Sequence, residues 1–125
     1  MRKQKQTIFG KGGNCFSTCV ACLLDLQVED VPNFCEKETW FNDCGEWLAE
    51  RGYSILLCKE VSTGGENDWN GNIETLHIAS GPANRGLPHS AIYKIDSLFW
   101  DPHPDGSGIR SISDRIFIFK MLEEK

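Results

Sequence analysis

Six cysteines and three histidines, the side chains that titrate closest to neutral pH, frame the chemistry open to this 125-residue chain. A cysteine attacks as its thiolate, and an ordinary thiol with a pKa of about 8.5 is mostly protonated at neutral pH. A helix N-terminus or a nearby imidazole lowers that pKa. Cys15 follows the loop Phe9-Gly10-Lys11-Gly12-Gly13-Asn14 and opens an apolar-periodic run ending at Leu26, so its position implies the first device. The same loop offers backbone N–H groups to a developing oxyanion. Among His77, His89 and His103, His89 is the best base, because it follows a Gly/Pro loop and enters the run Ser90-Ala91-Ile92-Tyr93. Asp101 closes the next run, Leu98-Phe99-Trp100. A hairpin turning around Lys94 to Ser97 brings the two side chains together at its open end, where Asp101 holds the imidazole tautomer. His103, two residues past Asp101 on a Pro-rich turn, is the rival base and a candidate substrate contact. His77 alternates with Leu76 and Ile78 and reads as a polar-face or internally satisfied histidine.

The elements that must position these residues follow from periodicity. Phe16, Val20, Leu23 and Leu24 recur at helical spacing, Asn14 stands at the N-cap, and Asp30-Val31-Pro32-Asn33-Phe34 breaks the pattern. A second helix is predicted from Thr39 to Arg51, with Phe41, Cys44, Trp47 and Leu48 on one stripe and Gly52 at its end. Strands are predicted at Tyr53–Cys58, Thr75–Ala79, Ser90–Ile95, Ser97–Trp100 and Ile116–Met121, with an exposed loop over residues 62–72. Ser80 to Pro88 reads as a loop, and Asp101 to Gly108 as a turn. Helices first and strands after imply a single α+β domain, residues 1–125, with an antiparallel sheet.

Composition narrows the partners. The net charge of −5 makes the chain a poor match for a nucleic-acid backbone. Arg2, Lys3, Lys5 and Lys11 read as a solubilising tail. No apolar run nears the roughly 20 residues that cross a membrane, and no apolar signal segment follows the basic start. The expected setting is the cytoplasm, with reduced thiols. Cys15-x3-Cys19-x2-Cys22 has the spacing of an iron–sulfur site, but the helical pattern makes Cys19 and Cys22 core residues. Cys35, Cys44, Cys58 and His77 lack the close spacing of a structural zinc site. No metal or other cofactor is expected.

The stretches Gly13-Asn14-Cys15-Phe16, Val31-Pro32-Asn33-Phe34, His89-Ser90-Ala91-Ile92-Tyr93 and Asp101-Pro102-His103-Pro104 together resemble the papain-like cysteine hydrolases. The nearest likeness is to peptidase domains of bacteriocin-processing transporters and to similar small phage and bacterial proteins. The resemblance spans about Gln6 to Gly108 and implies helices packed on an antiparallel sheet, with a Cys15–His89–Asp101 triad. That family places an oxyanion glutamine a few residues before the cysteine. Here the nearest is Gln6, nine residues upstream, with Asn14 or the backbone alone as alternatives. Arg85, Gly86, His103 and Trp69 are the candidate substrate contacts, and Arg85 would suit an anionic group. The implied activity is hydrolysis or transfer of an acyl group of a peptide, protein or small amide. The other reading is a catalytically weak binding module for a nucleotide or host protein, such as a phage counter-defence protein.

Overall fold

The computed structural model describes residues 1–9, 13–34, 38–59, 75–84 and 86–120. The expectations for Lys11, Cys35, the 62–72 loop with Trp69, Arg85 and Met121 lie outside the described residues. Helix α1 spans Cys15–Leu24, and α2 spans Trp40–Ala49. Five strands follow: β1 (Tyr53–Lys59), β2 (His77–Pro82), β3 (Pro88–Lys94), β4 (Ser97–Trp100) and β5 (Asp114–Lys120). They form one antiparallel sheet in the order β1-β5-β2-β3-β4, so the last strand inserts between β1 and β2. The α+β class expected from the sequence is thus present.

Register explains the core. Ile78 on β2 faces Ile92 on β3 and Ile116 on β5, giving a row of β-branched side chains across the three central strands. This row buries against Phe16, Cys19 and Val20 of α1 and Cys44 and Leu48 of α2. Cys19, Cys22 and Cys44 are fully buried, while Cys58 on β1 is half-buried. The opposite face carries Ala79, Ala91 and Tyr93, covered by Ile109 and Ile112 from the segment after β4.

Several element ends differ from the sequence-based expectation. The second helix is shorter at both ends, and α1 stops at Leu24 because Asp25 turns left-handed, φ +57°. Strands β2 and β3 run on through Pro82 and Pro88, into what reads as loop. The cause is tertiary. Ser113 N–H donates to Ser80 O at 2.8 Å and Arg110 N–H to Pro82 O at 2.7 Å, so a distant segment completes β2. Gly81 permits this approach, since a Cβ there would lie 1.9 Å from Ser111 O.

The basic N-terminus is not a free tail. Gln6 N–H donates to Pro102 O at 2.9 Å, and Arg2 N–H to Cys22 O at 3.0 Å. Lys5 Nζ donates to Asp101 O at 3.0 Å and His103 O at 3.1 Å, and lies 4.3 Å from the Trp100 ring centroid. His77 is fully buried rather than on a polar face. It stacks on Phe117, donates from Nδ1 to Thr75 O at 2.8 Å and accepts from Arg115 Nη1 at 2.9 Å. Arg115 also bonds Ile95 O and the Asp96 carboxylate, tying β5 to the β3–β4 turn.

Two alanine substitutions test this packing. Gly81→Ala must push the Ser111 backbone away and should cost about 1–3 kcal/mol. Gly45→Ala adds a Cβ 3.5 Å from Ile55 Cγ2, an ordinary contact inside α2. It should gain about 0.5–1 kcal/mol from helix propensity. Urea unfolding of both variants, with opposite shifts in midpoint, is the expected outcome.

Candidate active site

Cys15 is the first residue of α1, as its position after the glycine-rich loop predicts. Asn14 holds the N-cap position without capping. Its Oδ1 accepts the Thr7 and Ile8 N–H groups, each at 3.0 Å, and its Nδ2 donates to Thr7 Oγ1 at 2.9 Å. Asn14 therefore ties residues 7–8 to the helix start and does not cap the first turn. It does not line the cleft, so it is not positioned as the oxyanion donor. Thr18 closes the turn instead, its N–H and Oγ1 both donating to Asn14 O, at 2.9 and 2.8 Å.

His89 is the second residue of β3, and Asp101 follows the last residue of β4. The β3–β4 hairpin turns at Ile95 and Asp96, with Ile95 at φ +57°. Its open end brings the two side chains together. His89 Nε2 donates to Asp101 Oδ1 at 2.6 Å, with both side chains almost wholly buried. The carboxylate is then saturated by backbone. His103 N–H reaches Oδ1 at 2.9 Å, and Gly108 N–H reaches Oδ2 at 2.7 Å. Burial works against the charged carboxylate, but these bonds outweigh it and hold Asp101 below the usual carboxylate range.

With Nε2 on Asp101, Nδ1 is left for the Cys15 thiol, which hydrogen-bonds the His89 side chain. Burial alone would raise the thiol. The His89 hydrogen bond and charge, with the N–H groups of Ser90 and Phe16, outweigh it and lower the pKa. Burial likewise opposes a charged His89. The Asp101 bond and the Cys15 thiolate overcome that and raise it to about 9. The pair therefore favours thiolate and imidazolium together. His89 thus contacts both Cys15 and Asp101, whereas His103 is not bonded to the thiol. Its ring stands edge-on to His89 at 6.1 Å and to Phe9 at 5.4 Å, and its Nδ1 accepts the Asp105 N–H at 3.1 Å.

These residues open onto a cleft of about 840 Å³, within the size range of small-ligand sites. Gln6, Gly86 and His103 line it. Gln6 is the expected oxyanion residue that does reach the cleft. It is buried, its Nε2 donates to Ile8 O at 2.9 Å, and its Oε1 finds no hydrogen-bond partner among the described residues. An unsatisfied buried amide oxygen costs about 1–3 kcal/mol. Phe16, Trp40, Leu57 and Ile116 supply an apolar wall, and Ser80 and Ser90 hydroxyls bond each other at 2.8 Å. The backbone N–H groups of Ser90, His103 and Gly108 were not foreseen as site groups. Only the Gly106-Ser107-Gly108 turn signal hinted at one of them. Among the described residues, no cluster of three or more His, Cys, Asp or Glu side chains has the makings of a metal site. No described helix is long and apolar enough to cross a membrane.

No family model, curated protein or solved structure matches the chain.

The pKa directions set a pH profile for Cys15 alkylation by iodoacetamide. A lowered thiol pKa keeps thiolate present below the pH at which an ordinary thiol reacts, and reactivity falls only as pH drops through that lowered value. A second rise should appear near pH 9, as His89 loses its proton and frees the thiolate. Asp101→Asn, by removing the charge that supports imidazolium, should move the first limb up in pH. Peptide mapping of labelled cysteines from pH 5 to pH 10 reads all three effects.

Proposed function

We propose that the protein is a papain-like cysteine hydrolase or acyltransferase acting on an amide, isopeptide or ester bond. The observation that carries this reading is His89, bridging the Cys15 thiol and the Asp101 carboxylate at the mouth of a cleft. Two helices on one sheet face, with the nucleophile opening the first, are consistent with the papain-like arrangement that the sequence motifs resemble. A reducing, cytoplasmic setting would keep Cys15 in the thiol form that this chemistry needs.

The chemistry follows from the atoms. The Cys15 thiolate attacks the substrate carbonyl carbon, and the carbonyl oxygen takes the negative charge. Gln6 Nε2, which has one N–H beyond its bond to Ile8, and a backbone N–H at the α1 start, which no side chain caps, are the oxyanion donors. His89 gives its proton to the leaving amine or alkoxide, which departs and leaves an acyl-thioester on Cys15. His89, now neutral, takes a proton from water or from an acceptor amine, which attacks the thioester and releases the acyl group and the thiolate. Asp101 holds the ring and stabilises its charge through both steps.

The deciding experiment is intact-protein mass spectrometry after mixing with p-nitrophenyl acetate. A single acetyl group should appear on Cys15 and decay with release of acetate. Cys15→Ala should abolish it, and His89→Ala should nearly match that loss. The double variant should be no worse than Cys15→Ala, because the pair acts as a unit. Asp101→Asn should retain more activity than His89→Ala. Gln6→Ala should slow turnover by about a hundredfold, the cost of one oxyanion donor. A folded His89→Ala variant with full activity, or acetylation spread evenly over the cysteines, would refute the reading.

A further inference from the structure

The cleft beside Cys15 carries one charge that the chemistry above does not use. Asp114 opens β5 and lines the cleft, half-buried, two residues before Ile116 on the same face of the strand. Apart from Cys15 and the two histidines, no other titratable side chain lines the cleft among the described residues. Within hydrogen-bond or ion-pair reach, no partner for its carboxylate occurs among the described residues. Its neighbours in register are Ser80 on β2 and Lys59 on β1. Lys59 is exposed, and no ion pair joins it to Asp114. The wall nearby is apolar: Leu57 and Ile116 from the sheet, Trp40 and Phe16 from the helices.

An apolar wall ending in a lone carboxylate matches a long aliphatic stem with a cationic head. The stem removes apolar surface from water, and the head meets the carboxylate without having to give up all its hydration. A neutral stem of the same length would gain the first term alone. An acidic side chain would meet like charge in a half-buried setting, which is unfavourable.

We infer that the substrate carries a basic side chain, lysine or arginine, and that Asp114 is the specificity-determining residue that selects it. This rests on the cysteine-hydrolase reading and adds to it the class of residue the cleft takes.

Peptidyl chloromethyl ketones test the inference on the intact protein. Three probes of equal length carry lysine, norleucine or glutamate, placed in one set next to the electrophile and in a second set one residue before it. Each rate of Cys15 alkylation is divided by the same protein's iodoacetamide rate, which removes differences in the nucleophile itself. In one of the two sets lysine should outpace norleucine by about fivefold, the scale of one half-buried ion pair, with glutamate slowest. About 0.5 M NaCl should shrink the lysine advantage, because salt screens a partly exposed pair. Asp114→Asn should bring lysine level with norleucine, and Asp114→Glu should retain a lysine preference. Circular dichroism of both variants confirms that they fold, and the wild-type probe series stands without them. Equal lysine and norleucine rates in both sets, or a lysine preference that survives Asp114→Asn, would overturn the inference. A Cys15 that iodoacetamide labels no faster than Cys58 would instead sink the hydrolase reading.

Discussion

A carboxylate withdrawn from water must find its hydrogen bonds elsewhere, and the protein is organised around how Asp101 finds them. One bond comes from His89 and two come from the backbone N–H groups of His103 and Gly108. The turn from Asp101 to Gly108 is therefore folded around the carboxylate rather than merely following it. Gly108 must be glycine for two reasons. Its φ is +71°, and a Cβ there would meet the Tyr93 hydroxyl at 2.9 Å. Tyr93 in turn accepts the Ile109 N–H at 3.2 Å, so the second face of the sheet is locked by the same turn that satisfies Asp101. From the outside, Lys5 binds the carbonyls of Asp101 and His103. The N-terminal segment of residues 2–6 thus becomes part of the site's support, and it delivers Gln6 to the cleft wall on the way.

The charge logic extends from Asp101 through His89 to Cys15. Each member of the chain would prefer neutrality if buried alone. Together the negative carboxylate, the positive imidazole and the thiolate compensate one another. The His89 pKa of about 9 expresses that compensation. The helix start contributes through Phe16 N–H, and β3 through Ser90 N–H, so the thiolate is held where helix and sheet meet. That junction also leaves room for a substrate, because α1 and α2 cover one sheet face incompletely. The cleft reaches Asp114 at the start of β5, two residues before Ile116 on the same face of the strand.

The two faces of the sheet serve different ends. The helical face holds the Ile78, Ile92 and Ile116 row and the nucleophile. The far face holds His77, Arg115 and the segment around Ile109, which brace the hairpin carrying His89 and Asp101. Arg115 bonds the hairpin's turn at Ile95 and Asp96, while the Asp101 turn closes the other end. The hairpin is thereby held at both ends by residues remote from it in sequence.

The sequence by itself determined what local patterns can determine. The apolar spacing after Asn14 placed Cys15 at a helix start, and the alternating runs on either side of Lys94 to Ser97 implied the hairpin that joins His89 to Asp101. Both depend on neighbours within about a dozen residues, so periodicity and turn chemistry suffice to read them. Tertiary structure decided the rest, because the partners are distant. The β2 and β3 ends looked like loop until residues 109–113 supplied hydrogen bonds across Gly81. The basic start looked like a solvated tail until Lys5 and Gln6 found carbonyls 96 residues away. Asn14 looked like a cap and instead holds Thr7 and Ile8, and Asp114, outside the run from Ile116 that reads as a strand, opens β5. A side chain's local propensity says which bonds it can make. Only the folded chain says which groups lie within reach and which are cut off from water.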